Sequence, residues 1–345
     1  MARTSAYKGN AFATVNFDQY GIQVGFVMFP HSPHNDAWGV TRVPVAVIAN
    51  GTGPTVIIEG GNHGDEYEGP IVISELVREL KLADISGRII LMPTNNVHAF
   101  VAAQRTSPID GLNFNRVFPG DVYGTITQQI AAYLTEYIFP MGDAFIDLHS
   151  GGSSLDILPS AIIEPVNDPE HRARNTAAAL AFGAPHTVII GNFGDPRTAT
   201  ATACRHGLTT VGTEMRGGGT VSLEALKICR QGVFNVLAHL GVISTPLGQD
   251  PVKSAPNPKI LELSGSNAHL YATQDGVFEP LHELGMPVIA GHPAGRIHRP
   301  WDLGFEPVTI NYSIDGILYA RRHPGRVMSG NCCLVVASPV LGSSS

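Results

Sequence analysis

The sequence predicts an α/β protein: a mixed, mostly parallel sheet with helices on both faces, followed by a small antiparallel β unit at the C-terminus. Two observations carry this. Through residue 240, short β-branched runs alternate with segments of helical periodicity, the pattern of strands joined by crossover helices. Near Thr245 the texture changes: residues 245–259 hold four prolines and few apolar side chains, and only short runs spaced by Gly/Pro turns follow. The 345 residues suffice for two ordinary units, and the division expected is 1–250, opening with β-hairpins, and 251–345, a linker and a β-rich unit.

Each element has its own reason. Residues 12–29 alternate apolar and polar positions and read as a hairpin. Runs 43–48 and 55–59 are β-branched and flank a Gly-Thr-Gly-Pro turn, which predicts a second hairpin. Residues 68–82 place Ile71, Val72, Leu76, Val77 and Leu80 on one helical face. Run 88–93 is a buried strand, and 124–138 is an amphipathic helix with Thr127 as its expected cap. Strand 144–148, helix 171–182, strand 186–190, strand 209–214 and helix 221–240 follow. Beyond the linker, strands are expected over 268–273, 276–280, 287–290, 295–298, 316–320 and 333–337. In a sheet of this kind, functional groups collect in loops at the carboxyl ends of strands.

Composition narrows the function. Lys+Arg 22 against Asp+Glu 29 gives a net charge of −7 without a long basic run, so neither nucleic acid nor an anionic membrane is an expected partner. No stretch of 18 apolar residues and no signal-peptide pattern occurs, and a cytoplasmic protein is expected. Assembly into a homo-oligomer is left open. Cys204, Cys229, Cys332 and Cys333 form no C-x-x-C, so neither a disulfide framework nor a cysteine zinc site is indicated. There is no G-x-S-x-G and no H-E-x-x-H.

Four clusters carry chemistry. In Gly60-Gly-Asn-His63-Gly-Asp-Glu66, His63 and Glu66 stand three apart where a strand enters a helix, and both types ligate zinc well. A polar helix start is the plain alternative. Asp147-Leu-His149 ends a strand on the same rim; two His and one Glu leave one position for water, a catalytic zinc arrangement. Asp147 would buttress His149, or be an ordinary buried acid. The loop from Arg105 to Gly120, with Asn113, Asn115 and Arg116, suits an anionic substrate: one Arg holds a carboxylate and another an oxyanion. Solvated surface arginines are the alternative. Glu214 ends a strand and suits a general base, or pairs with Arg216.

N-H-G-D-E, N-x-N-R-x-F-P-G and D-L-H-S-G, in that order, resemble the succinylglutamate desuccinylase/aspartoacylase family, of the zinc carboxypeptidase-like group. The likeness runs over roughly residues 40–240 and extends to the β-rich tail. Residues 31–39, the N-H-G-D-E stretch and the 105–120 loop are similar to its subgroup that deacetylates N-α-acetyl-L-2,4-diaminobutyrate in ectoine breakdown. The resemblance implies one zinc ion per chain on His63, Glu66 and His149. It implies that Arg105 polarises the scissile carbonyl, Asn115 and Arg116 hold the substrate α-carboxylate, and Glu214 is the general base. The implied reaction is amide hydrolysis of an N-acyl amino acid. Aspartoacylase or desuccinylase specificity, a metallocarboxypeptidase and a metal-dependent binding protein are the alternatives. A cationic substrate side chain would need an acidic partner, for which Asp156, Glu164 and Glu279 are candidates. Arg216 departs from the small, glycine-rich continuation expected after Glu214. The β-rich tail is expected to fold back and narrow the mouth of the site.

Overall fold

The structure, a computed structural model, describes residues 7–244, 260–263 and 265–340. The linker expected over 245–259 lies outside the described residues. Strands β1 (Phe12–Ala13), β2 (Gly21–Pro30) and β3 (Val40–Asn50) pair antiparallel at one edge of a large sheet. After β4 (Thr55–Gly60) and α1 (Glu68–Glu79) the chain forms β5 (Gly87–Met92), which slots between β3 and β4. The hairpin expected from runs 43–48 and 55–59 therefore does not form. β4 is buried along its whole length and is parallel to both its neighbours, β5 and β6 (Ala144–Leu148). A turn signal reports a chain reversal, whereas a strand buried on both faces belongs in the sheet centre.

Helices α2 (Val97–Val101) and α3 (Ile126–Tyr133) lie between β5 and β6. The cap of α3 is Thr125 rather than Thr127: Gln128 Oε1 accepts from the Thr125 backbone N–H at 2.9 Å, the reciprocal half of a capping box. The Thr127 hydroxyl instead donates to Asp110 Oδ1 at 2.9 Å. Then come β7 (Leu155–Ile157), β8 (Ser160–Ile163), α4 (Pro169–Phe182), β9 (His186–Ile189), α5 (Ala199–Arg205), β10 (Thr209–Glu214) and α6 (Leu223–His239). The centre reads β5-β4-β6-β10-β8-β9, parallel through β10, with β8 and β9 parallel to each other and β8 antiparallel to β10.

Strand alternation sends Ile58, Ile146, Val211 and Ala161 to one face, where residues of α1, α4 and α6 pack over them. Ile57 and Phe145 face the other way, against α3 and α5. The expected arrangement of helices on both faces is thus present, with the parallel run at the centre of the sheet.

The C-terminal strands are β11 (Ile260–Glu262), β12 (His269–Tyr271), β13 (Gly276–Pro280), β14 (Pro287–Val288), β15 (Pro293–His298), β16 (Val308–Asn311), β17 (Gly316–Arg322), β18 (Arg326–Val327) and β19 (Cys332–Pro339). β11 continues the main sheet beside β9, and β19, β17 and β14 extend it antiparallel. A separate four-stranded antiparallel sheet has the order β16-β15-β13-β18. No helix among the described residues is long and apolar enough to cross a membrane.

Candidate active site

The rim at the carboxyl ends of β4, β6 and β10 gathers the chemistry. His63 and Glu66 sit in the loop from β4 into α1, His149 follows β6, and Glu214 is the last residue of β10. Close backbone packing fixes the first loop: a Cβ at Gly64 would lie 2.0 Å from the carbonyl of Ala99 in α2. The neighbouring acids hold loops. Asp65 Oδ2 accepts from the Ser153 N–H at 2.7 Å, tying the two histidine loops together. Glu68 Oε1 accepts from the Ser222 N–H at 2.9 Å, at the start of α6.

His63 Nδ1 stands 2.7 Å from Glu66 Oε1, and His149 Nδ1 stands 2.8 Å from Glu66 Oε2. One donor atom from each of these three residues lies within 4.8 Å of the others. The outer ring nitrogens face oxygens: His63 Nε2 is 3.1 Å from Asn113 Oδ1, and His149 Nε2 is 2.9 Å from Asp147 Oδ1. The oxygen on His63 Nε2 turns that ring's Nδ1 lone pair toward the common centre, the usual outer support of a zinc-binding histidine, whereas Asp147 Oδ1 stands at ion-pair distance from His149 without a hydrogen bond. The donor set, two imidazoles and a carboxylate, therefore fits a zinc ion. Burial alone would raise the Glu66 carboxyl, but the charges of His63 and His149 outweigh it and hold Glu66 far below the usual range.

Behind this centre lies a group the sequence reading missed. Glu59 is fully buried, sits opposite Asp147 in the β4–β6 register, and accepts from Asn62 Nδ2 and Asn95 Nδ2. Burial first, and Asp147 second, raise its carboxyl well above the ordinary range. The available signal was a single acid at the end of an apolar strand, directly before Gly60-Gly61. Asn113, which the sequence places in the 105–120 loop without a partner, meets His63 Nε2. Thr200 of α5 donates to Asp147 Oδ2 at 2.7 Å, a contact that no sequence pattern signals.

His63, Glu66, Arg105, Asn115, Arg116, His149 and Glu214 all line one cavity of about 440 Å³. Arg105 Nη1 is 3.4 Å from His63 Nδ1 and 3.6 Å from Glu66 Oε1. Asn115 Oδ1 accepts from the Ala199 N–H at 2.7 Å, which leaves its Nδ2 toward His149 Nε2, at 3.4 Å. Arg116 Nη1 donates to the Asn115 carbonyl at 2.6 Å, and its Nε is 3.5 Å from Asp195, itself doubly hydrogen-bonded by Arg197. Glu214 Oε2 is out of solvent and has no hydrogen-bond partner among the described residues. Burial, then the charge of Glu66, pushes the Glu214 carboxyl up to about 8.

The alternative pairing of Glu214 with Arg216 does not occur, because Arg216 Nη2 bonds Asp156 Oδ2 at 3.0 Å. The glycines after it serve packing: at Gly217 (φ +154°) a Cβ would lie 2.1 Å from the Leu155 carbonyl. The C-terminal strands reach the cavity and line it with Tyr271, Tyr319 and Val335, with Leu263 beside them. Of the three acids considered for a substrate cation, only Glu164 reaches this cavity. Asp156 is taken by Arg216, and Glu279 bonds His298 in the small sheet at 2.8 Å.

The model of the succinylglutamate desuccinylase/aspartoacylase catalytic domain matches residues 52–240. The chain is 39% identical to the N-α-acetyl-L-2,4-diaminobutyric acid deacetylase of Halomonas elongata, over 95% of each chain. It is similar to the product-bound ectoine utilization protein EutE (DoeB) of Ruegeria pomeroyi, at 36% identity and TM-score 0.91, covering 96% of this chain and 99% of that one. A succinylglutamate desuccinylase/aspartoacylase from Rhodobacter sphaeroides superposes with TM-score 0.89 at 40% identity, over the same shares of the two chains.

Proposed function

The chain belongs to the succinylglutamate desuccinylase/aspartoacylase family, and on that premise we propose that it is a zinc-dependent amidohydrolase of N-acyl amino acids. The substrate we propose is N-α-acetyl-L-2,4-diaminobutyrate, cleaved to acetate and L-2,4-diaminobutyrate, a step of ectoine breakdown. The 39% identity to the Halomonas elongata deacetylase supports that choice. The observation that carries hydrolysis, as against binding alone, is Glu214: a half-buried carboxyl, one oxygen out of solvent and without a hydrogen-bond partner among the described residues, in the same cavity as three converging metal donors. A passive binder has no use for a base there.

In this reading His63, Glu66 and His149 hold the zinc ion, one per chain. When bound, zinc supplies an electrophile and lowers the pKa of water at the site. Glu214 takes the proton of the attacking water and returns it to the leaving amine, which suits a carboxyl whose affinity for a proton is raised. Arg105, the cation beside His63 and Glu66, donates to the carbonyl oxygen as negative charge builds on it. Asn115 and Arg116 hold the α-carboxylate through charge-assisted hydrogen bonds. The two-unit division belongs to the proposal: residues 1–250 carry the chemistry, and the β-rich unit of 251–345 shapes the mouth through Tyr271 and Tyr319.

The test is a hydrolysis screen of zinc-loaded protein against the N-α-acetyl derivatives of L-2,4-diaminobutyrate, ornithine and aspartate, read by amine release. The expected order puts diaminobutyrate first. No hydrolysis of any N-acyl amino acid would overturn the reaction, and a preference for N-acetylaspartate would overturn the substrate.

A further inference from the structure

Glu164 directly follows β8 and lines the cavity, yet none of the roles above uses it. Its carboxylate makes no hydrogen bond or ion pair with any described residue. Arg205 is the cation whose charge reaches it, and that guanidinium donates to Thr202 Oγ1 at 2.7 Å. Ile162 and Ile190 line the same cavity. Glu164 is half-buried, so water reaches its carboxylate, but the apolar walls beside it offer no partner and leave its charge for a ligand to meet. The charge is only partly compensated in the free protein: burial, then Asp147, push the carboxyl up to about 7.

The sheet register sets the scale. Ser160 lies opposite Glu214, and Ile162 lies opposite Gly212, which in turn lies opposite Asp147. Positions 160, 162 and 164 share a face, so Glu164 stands roughly 13 Å along the strand from the row that carries Glu214. In an extended N-acyl diaminobutyrate, five bonds carry the side-chain nitrogen roughly 6 Å from the amide carbon. A hydrogen bond of about 3 Å and the reach of a glutamate side chain span the remainder. An acyl carbon beside Glu214 therefore leaves the far amine within reach of Glu164.

We propose that Glu164 recognises a second, cationic amino group on the substrate side chain and makes the cavity selective for N-acylated diamino acids. The inference rests on the N-acyl amino acid reading above and adds a residue to it. Aspartate derivatives are rejected because their carboxylate would face Glu164, and neutral side chains because they leave it unpaired.

The experiment compares kcat/KM for N-α-acetyl-L-2,4-diaminobutyrate and N-α-acetyl-L-norvaline, its uncharged isostere, in wild type, E164Q and E164D. E164Q should lower kcat/KM for the diamino substrate at least about thirtyfold, the scale of a lost buried charge partner, and leave the norvaline derivative within about threefold. E164D, which keeps the charge, should retain part of the preference, whereas a purely structural role would depress both substrates together. Calorimetric titration with L-2,4-diaminobutyrate and L-norvaline reads the same site without turnover: wild type should prefer the diamine and E164Q should not. Hydrolysis of both derivatives with an unchanged ratio in E164Q would overturn this inference and leave the hydrolase reading intact. Absence of all hydrolysis by wild type would overturn the hydrolase reading, and the calorimetric comparison would still decide on Glu164.

Discussion

Replacing Glu214 by Gln should lower turnover at least about a hundredfold and stabilise the metal-free protein at alkaline pH. The shape is kept, and only the ability to ionise is lost. In the unfolded chain a glutamate titrates near 4.3, whereas here burial and Glu66 move it up to about 8. Between those values the folded state holds a proton that the unfolded state releases. Stability is then fully present below the unfolded value and is lost as pH rises through the folded one. A shift of that width corresponds to a loss on the order of a few kcal/mol. Gln carries no charge at any pH and escapes this cost. Scanning calorimetry of chelator-treated protein should therefore find similar Tm values for wild type and E214Q at pH 4. At pH 8.5 the variant should melt several degrees higher. With zinc restored, metal content should match wild type, while kcat falls at least about a hundredfold, the lower scale of general-base catalysis. The reasoning is refuted if the Tm difference does not grow between the two pH values, or if kcat stays within about threefold.

Three further outcomes follow. His149→Ala removes one of three converging donors, and elemental analysis should find far less than one zinc per chain, with activity lost in parallel; a fully active, metal-free wild type would contradict the ligand assignment. Arg116→Ala should lower kcat/KM about ten- to a hundredfold, mainly through KM, with Tm little changed, because Asp195 keeps both hydrogen bonds from Arg197. Gly64→Ala puts a methyl group 2.0 Å from the Ala99 carbonyl, and urea unfolding should show a loss of roughly 1–3 kcal/mol together with weaker zinc retention.

The site was more legible in the sequence than the sheet. His63, Glu66, His149 and Glu214 each lie at or just beyond the end of a strand whose apolar run is visible by inspection. Local pattern was enough to put them on one rim. Strand pairing is not local: nothing between residues 43 and 59 shows that β5, almost thirty residues further on, separates β3 from β4. Helix α5, Ala199–Arg205, is too short to show a helical period, so no pattern signals Thr200 on it. The cap of α3 fell to Thr125 because Gln128 stands three residues after it, a signal that is present in the sequence and outranks Thr127. Glu59 was hidden for another reason. A lone acid in an apolar strand shows its burial only when the neighbouring strand places Asp147 against it.

The charges on the cavity side of the sheet form one system. Glu59, Glu66 and Asp147 are buried and Glu164 and Glu214 half-buried, and three of the five, Glu59, Glu164 and Glu214, hold their protons more tightly than a free glutamate. Against them stand Arg105, the His149 ring, whose proton burial would loosen but Asp147 and Glu66 hold, and Arg116, already engaged by Asp195; none of these pairs with Glu164 or Glu214. Left alone, such a face is an electrostatic cost on folding. On the proposed reading, the missing positive charge arrives with the ligands: a dication between His63, Glu66 and His149, and an ammonium at Glu164. Binding then repairs a defect that folding leaves open, so metal and substrate should each raise Tm by more than contact area alone would give. The same defect poises Glu214 to take a proton, and the instability of the empty site and its activity when filled have a common source in unpaired carboxyls.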